Sequence, residues 1–333
     1  MRAIVVAAFG PPEGLHLAEA AAPVPGAGEV LVEIHAAPIN YVDLLTIDGS
    51  YQFCPICPFI PGKGPAGVVA ALGPGVTNLA EGDRVLAMAE AGGYAERVAV
   101  AADQCYRLPA AMSFVAAASL SLVYDTAWMA LRERARIAAG ESVLVLGAAG
   151  GVGRAAVQLA RALGAGVVLA GITRPERAKT ARAAGADAVI DLARPDLRDS
   201  LREEVYAATG GEGVDIVIDP LGGAVTEAAL RALAWRGRLV VVGFAAGGAF
   251  PTLRTNYLLL KNIEVSGLQI SDYRKRRPAQ LAECFAEIFA LWERGKIAPA
   301  AATLFPLEEA ARALALLRDR KITGRAVLRV RED

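Results

Sequence analysis

The spacing of apolar residues changes twice along the chain, which divides it into three regions. From residue 1 to about 121, short apolar stretches alternate with polar positions, the period of half-buried strands. Val30 to Ile34, Gly67 to Ala71, Asp83 to Ala87 and Tyr94 to Val98 predict strands, punctuated by turns such as Gly73-Pro74-Gly75. The pattern predicts an antiparallel, partly closed β-domain. From about 122 to 268, continuous apolar strands alternate with helical spacing. Strands are expected at Ser142 to Gly147, Val167 to Ile172, Ala188 to Ile190, Val214 to Asp219 and Arg238 to Gly243, with helices at Gly151 to Leu163 and Pro175 to about Ala184. Strands separated by helices indicate a parallel sheet covered on both faces, because parallel neighbours need crossover connections. Beyond 268 the pattern changes again, to helices over Gln280 to Arg294 and Glu308 to Arg318 and a closing strand from Gly324 to Val330. The expected organisation is one domain from 1–121 plus 269–333, interrupted by a second at 122–268.

Composition narrows the classes. A chain of 333 residues, 54% hydrophobic and 21% charged, can bury two cores and is not disordered. Thirty-five basic and 35 acidic residues cancel, so no overall field draws it to nucleic acid or an anionic membrane. No apolar run comes close to the ~20 residues that span a bilayer, and Met1 to Phe9 lacks the layout of a signal peptide. Four cysteines make no disulfide framework. A cytoplasmic protein is expected.

The sharpest local signal is Leu144-Val-Leu-Gly-Ala-Ala-Gly-Gly-Val-Gly153, which joins a buried strand to a helix. In a G-x-G-x-x-G frame its positions are Ala148, Gly150 and Gly153, with alanine replacing the first glycine. The backbone of Ala149, Gly150, Gly151 and Val152 can approach a pyrophosphate at the positive end of the helix. The following strand ends at Thr173 and Arg174, with Arg177 just beyond, where NAD enzymes carry a carboxylate for the ribose hydroxyls. Arginines there suit a 2′-phosphate, so the expected cofactor is NADPH. The bland reading is a solvated basic helix start beside Glu176.

Metal chemistry finds little support. His16 and His35 are the only histidines, and Cys54-Pro-Ile-Cys57 lies among prolines with no second Cys/His cluster nearby. Cys105 and Cys284 are isolated and expected to be buried.

Taken in order, several segments form a recognisable series: Pro38-Ile-Asn-Tyr-Val-Asp-Leu-Leu45, Pro61-Gly-Lys-Gly-Pro-Ala-Gly-Val-Val69, Glu81-Gly-Asp-Arg-Val85, Gly92-Gly-Tyr-Ala-Glu96, Tyr124-Asp-Thr-Ala127, Gly147 to Gly153 and Leu258 to Ile263. The chain resembles the medium-chain dehydrogenase/reductases, and within them the zinc-free quinone oxidoreductases. The resemblance implies a GroES-like catalytic β-domain and an inserted Rossmann domain, with the active site in the cleft. Zinc-bearing relatives keep a Cys near the place of Asn40 and a His-Glu pair near Lys63 and Gly64, and they carry four Cys in a lobe after the counterpart of Val85. None of these is present, so both zinc sites are expected to be missing. Gly64 also departs from the Glu usual among quinone oxidoreductases.

Without a metal, the feasible chemistry is hydride donation to a conjugated acceptor such as a quinone or enone. The resemblance places Asn40 and Tyr51 beside the nicotinamide, where either could hydrogen-bond the acceptor oxygen; the bland readings are a turn-stabilising Asn and a rim aromatic. Lys63 is a candidate for an anionic substrate group. Tyr124 and Thr126 are expected to line the cofactor cleft. Gly243 and Phe244 lie at the carboxyl edge of the sheet, and Asn256 either touches the cofactor or caps a helix. The strand near Ile263 to Gly267 is expected to join two copies into a homodimer. One alternative is an enoyl-thioester or alkenal reductase, with Lys63 or the run Arg274-Lys-Arg-Arg277 meeting a phosphate, against a solvated helix start for that run. Another is a non-catalytic NADPH-binding protein.

Overall fold

Strand Glu29–Ile39 organises the N-terminal part of the molecule. Its alternate residues Val30, Val32, Ile34 and Ala36 are buried, as expected when side chains alternate between the faces of a sheet. The computed structural model describes residues 1–248 and 250–332, and in it this strand pairs antiparallel with Ala66–Leu72 and Arg97–Ala101 over its first half and with Arg325–Arg329 over its last four residues. Its pairing with Ala66–Leu72 shifts register at Leu31/Val32 and Ile34/Ala36. The sheet continues through Arg84–Ala87 to Cys105–Arg107 on one side, and on the other to Ala302–Pro306, which runs parallel to Arg325–Arg329. Ile4, Val32, Val69, Val85, Val98, Phe305, Leu314 and Leu328 share its core. The strand expected at Tyr94 to Val98 begins only at Arg97. The Tyr94 N–H donates to the Pro61 carbonyl, while the Tyr94 carbonyl accepts from the Ile4 N–H and Ala95 forms an isolated antiparallel bridge with Ala3.

The other sheet has six parallel strands in the spatial order Ala188–Asp191, Val167–Ile172, Ser142–Leu146, Val214–Asp219, Leu233–Val241 and Glu264–Gly267. In sequence order this is 3-2-1-4-5-6, the doubly wound nucleotide-binding arrangement. All five residues of Ser142–Leu146 are buried, which explains why its sequence reads as an unbroken apolar run. The strand order reverses between Ser142–Leu146 and Val214–Asp219, and the glycine loop follows the first of these.

The chain folds as two units. The first comprises Met1–Leu122, Tyr273–Phe289 and the chain from Pro299 onward; the second comprises Val123–Asp272 and Ala290–Ala298. The short return of 290–298 to the second unit is held by Gln158, whose amide donates to the Ala298 carbonyl (3.0 Å) and accepts from the Ala298 N–H (2.9 Å). One expectation is corrected. Residues Phe114–Arg134 form a helical segment long and apolar enough, by length and composition, to cross a membrane, but 89% of that window is buried inside the protein.

Candidate active site

In the first unit the sequence Pro61-Gly-Lys-Gly-Pro65 builds a tight double bend. Gly62 and Gly64 both have positive φ, +96° and +67°, which glycine adopts without strain. Neither has room for a side chain. A Cβ on Gly62 would lie 2.2 Å from the Tyr94 ring, and one on Gly64 would lie 1.9 Å from Ser121 Oγ. A glutamate at position 64, which the resemblance would imply, would need a strained left-handed backbone and a shift of the Ser121 side chain. The Gly64 N–H donates to the Ala89 carbonyl at 3.1 Å, which brings the next residue, Glu90, alongside Lys63.

Glu90 is a half-buried carboxylate. Its Oε2 accepts from Lys63 Nζ at 2.5 Å, and its Oε1 accepts from Arg274 Nη1 at 2.8 Å. Burial alone would raise its pKa, but the charges of Arg274 and Lys63 outweigh burial and hold the carboxyl down at about 2. Lys63 is 5% exposed and Arg274 1%. The reading of Arg274 as part of a solvated helix start is corrected. It lies in the last turn of helix Ile270–Arg276, enclosed and ion-paired, while Lys275, Arg276 and Arg277 are exposed. Tyr51 follows helix Tyr41–Asp48 and is half-buried, with Lys63 Nζ 5.1 Å from its ring centroid, within cation–π range.

Asn40 precedes that helix and is buried. Its Oδ1 accepts from Arg325 Nη2 at 2.8 Å, and its Nδ2 lies 3.4 Å from the Lys63 carbonyl. Asp43 Oδ2 accepts from the Asn40 N–H (2.8 Å) and from the Tyr94 hydroxyl (2.7 Å). Complete burial pushes the Asp43 carboxyl up to about 6, against those hydrogen bonds and the charge of Lys63. Burial, with Asp43 beside it, pushes the Tyr94 phenol well above its ordinary range. Asn40, Tyr51 and Lys63 are thus brought together in one polar cluster. Glu90, Arg325, Asp43 and Tyr94 belong to it as well, and the sequence signalled none of these four as site residues. Among the described residues no group of three or more His, Cys, Asp and Glu could hold a metal.

The second unit carries the nucleotide loop. Gly147 has φ +63°, and a Cβ on Gly153 would lie 2.2 Å from the Gly147 carbonyl oxygen. Only glycine lets helix Gly151–Ala162 start this close to the strand. Gly150 and Gly151 are exposed and Ala149 and Val152 half-buried, so the first-turn N–H groups stand at an open helix start. Thr173 is exposed at the end of Val167–Ile172, and Arg174 and Arg177 flank a short 3-10 turn there. The loop has the close backbone and open amides a pyrophosphate needs, and the strand end has the cations a 2′-phosphate needs. NADPH fits these residues.

The remaining candidates in the second unit are placed less uniformly. Gly243 and Phe244 follow strand Leu233–Val241 at its carboxyl end, and Phe244 is 41% exposed. The Tyr124 hydroxyl donates within the interior, to Gln158 Oε1 (2.8 Å) and the Ala298 carbonyl (3.1 Å). Thr126 is buried, and its hydroxyl lies 3.4 Å from Asp125 Oδ1. Asn256 is exposed as the first residue of helix Asn256–Lys261; the N-cap position is Thr255.

Comparison with known proteins agrees with this geometry. Residues 26–110 match the alcohol dehydrogenase GroES-like domain, and residues 151–287 match the zinc-binding dehydrogenase domain. The chain is 34% identical over 310 residues to a quinone oxidoreductase-like protein 2 homolog of Nematostella vectensis, covering 92% of this chain and 83% of that protein. It is 34% identical over 331 residues to the quinone oxidoreductase of Sus scrofa, covering 98% and 97%. The solved structure of Escherichia coli quinone oxidoreductase complexed with NADPH superposes with a TM-score of 0.88 at 32% identity, covering 98% of this chain and 99% of that one.

Proposed function

The chain belongs to the medium-chain dehydrogenase/reductase family, in its zinc-free quinone oxidoreductase-like group, and as an NADPH-dependent oxidoreductase of that group we propose that it reduces quinones. The donor set at positions 40, 51 and 63 carries this reading: an amide, a phenol and an ammonium, and no metal ligands. Such donors stabilise negative charge as it develops on a conjugated carbonyl oxygen, most effectively where water is excluded. NADPH, when bound, supplies the hydride.

The protein's own residues hold, orient and polarise. Gly150 to Val152 present backbone amides to the pyrophosphate, and Arg174 and Arg177 receive the 2′-phosphate. Tyr51 and the Asn40 amide hydrogen-bond the acceptor oxygen, while Lys63, fixed by Glu90, sets the local charge. Arg325 holds the Asn40 amide oxygen, which orients the amide nitrogen.

The enoyl-thioester alternative loses one support, because Arg274 is enclosed on Glu90 rather than open to a phosphate. Strand Glu264–Gly267 ends its sheet, and Leu259 and Leu260 just before it are 80% and 69% exposed. Two copies of the chain pair through this edge, and light scattering on the purified protein should return twice 34.6 kDa.

NADPH oxidation against 1,4-benzoquinone, 9,10-phenanthrenequinone, an enone, crotonyl-CoA and a simple aldehyde tests the function, with NADH and a chelator as controls. Chelator-resistant turnover of the quinones is expected. Turnover of the enone or thioester alone would move the function to double-bond reduction. Tight NADPH binding with no turnover of any acceptor would leave a binding protein.

A further inference from the structure

The first turn of helix Gly151–Ala162 carries a cation at the end of a helix that least favours one. Arg154 stands in that turn, and its N–H donates to the Gly150 carbonyl at 2.9 Å. The amide end of a helix is its positive end, and the first turn here holds no acidic residue. An arginine in that turn weakens the helix unless an anion binds beside it.

The protein itself supplies no such anion. Arg154 is half-buried, and among the described residues its guanidinium makes no ion pair or hydrogen bond, its Nε being enclosed without a partner. A guanidinium is always charged, and an enclosed donor without an acceptor is costly. Arg238 also has an enclosed Nε without a partner, but its Nη atoms reach the Ala135 carbonyl and Glu141. Arg134 has one too, but it stands in the last turn of its helical segment, where a cation is favoured. A helical side chain covers the turn N-terminal to its own Cα. For Arg154 that turn is Gly150 and Gly151, which are exposed and have no side chains to obstruct it. The residue is thereby set beside the open amides of the nucleotide loop.

We propose that Arg154 is a pyrophosphate ligand of NADPH, adding a side-chain fork to the backbone amides of Gly150 to Val152. This deepens the cofactor reading and is separate from Arg174 and Arg177, which are assigned to the 2′-phosphate at the end of the next strand. A guanidinium suits the role because its planar fork matches two phosphate oxygens at once. The bound pyrophosphate also removes the mismatch between the cation and the helix end, so one contact serves both cofactor affinity and the helix.

The test is calorimetric titration of the full chain with NADPH and with adenosine 2′-monophosphate, which has the 2′-phosphate but no pyrophosphate. R154M keeps an unbranched side chain of good helix propensity. It is expected to bind NADPH about tenfold or more weakly than wild type, since a charge-assisted hydrogen bond is worth at least ~1.4 kcal/mol, a factor of ten. Its affinity for adenosine 2′-monophosphate should stay within about twofold of wild type, and R154K should recover part of the NADPH loss as a point charge. The melting temperature of nucleotide-free R154M should equal or exceed that of wild type, because the variant relieves the helix end. NADPH affinities within about twofold of each other in R154M and wild type would overturn the contact and leave the cofactor reading standing. An equal loss for adenosine 2′-monophosphate would overturn it by moving Arg154 to the 2′-phosphate. A lower melting temperature of nucleotide-free R154M would overturn it by making Arg154 a structural residue. If the wild-type protein binds no NADPH, the cofactor reading itself fails, and the contact with it.

Discussion

Replacing Glu90 with glutamine keeps the size and one acceptor oxygen of the side chain and removes the charge that Lys63 and Arg274 share. The carboxyl is held at about 2 instead of its ordinary 4.5. That difference of about 2.5 units, at ~1.36 kcal/mol each, gives about 3 kcal/mol of native-state stabilisation. The Glu90 side chain is 30% exposed, so solvent screening reduces this to about 2 kcal/mol. E90Q is therefore expected to lower the unfolding free energy of the first unit by about 2–3 kcal/mol at pH 7, less than the ~3–5 kcal/mol lost when one partner of a fully buried pair is removed. The pH dependence follows from the direction of the shift. A depressed carboxyl contributes fully above its unfolded value of 4.5, and the contribution is lost as pH falls through about 2. The gap between wild type and E90Q should thus be constant from pH 6 to 8 and narrow by roughly a third to a half at pH 3.5. Urea unfolding followed by circular dichroism is the suitable assay. Trp128, Trp235 and Trp292 all lie in the second unit, so tryptophan fluorescence would miss the relevant transition. A variant within about 0.5 kcal/mol of wild type at pH 7, or a gap that does not narrow in acid, would refute the reasoning.

Asp43 titrates with the opposite sign. Its carboxyl is raised from 3.8 to about 6, so the stability it contributes is fully present below 3.8 and is lost as pH rises through 6. D43N, which keeps an acceptor for Tyr94 and the Asn40 N–H, should gain on wild type by up to about 3 kcal/mol between pH 4 and pH 7; parallel thermal midpoints across that range would contradict this. Removing both Arg174 and Arg177 should weaken NADPH binding about tenfold to a hundredfold per lost charge-assisted contact and leave NADH binding nearly unchanged. Calorimetric titration of the two nucleotides reads the difference, and equal losses for both would remove the 2′-phosphate assignment.

Legibility in the sequence followed the range of the interactions. The parallel strands were readable because burial on both faces leaves apolar runs, and Val167–Ile172 and Val214–Asp219 fall at the expected residues. The glycine loop was readable because its constraints are local: the Cβ clash at Gly153 is with Gly147, six residues earlier. Tyr94 to Val98 is only partly a ladder strand: Tyr94 to Glu96 makes an isolated antiparallel bridge to the strand Arg2–Val5, with the Tyr94 N–H turned to the distant Pro61 carbonyl, and the regular strand starts at Arg97. Leu233 to Gly237 was missed as part of a strand because Trp235 and Arg236 are exposed and Arg236 has a positive φ.

The polar cluster was hidden for a different reason. A single charged residue carries no period, and whether it is solvated or enclosed depends on what the fold sets against it. Arg274 stands in a run with Lys275, Arg276 and Arg277, and nothing in the run singles it out. Its enclosure follows from Glu90, 184 positions away in the chain. Gly64 was visible as a departure from related sequences, but its consequence was not. The left-handed backbone and the Ser121 hydroxyl disfavour a side chain there, and the Gly64–Ala89 backbone bond brings a carboxylate to Lys63 from the end of another strand. The carboxylate missing at position 64 thus has a neighbour across that bond in Glu90, which is held ionised by Lys63 and Arg274. A lysine placed beside it is thereby enclosed and ion-paired by a residue that the chain brings in from another strand.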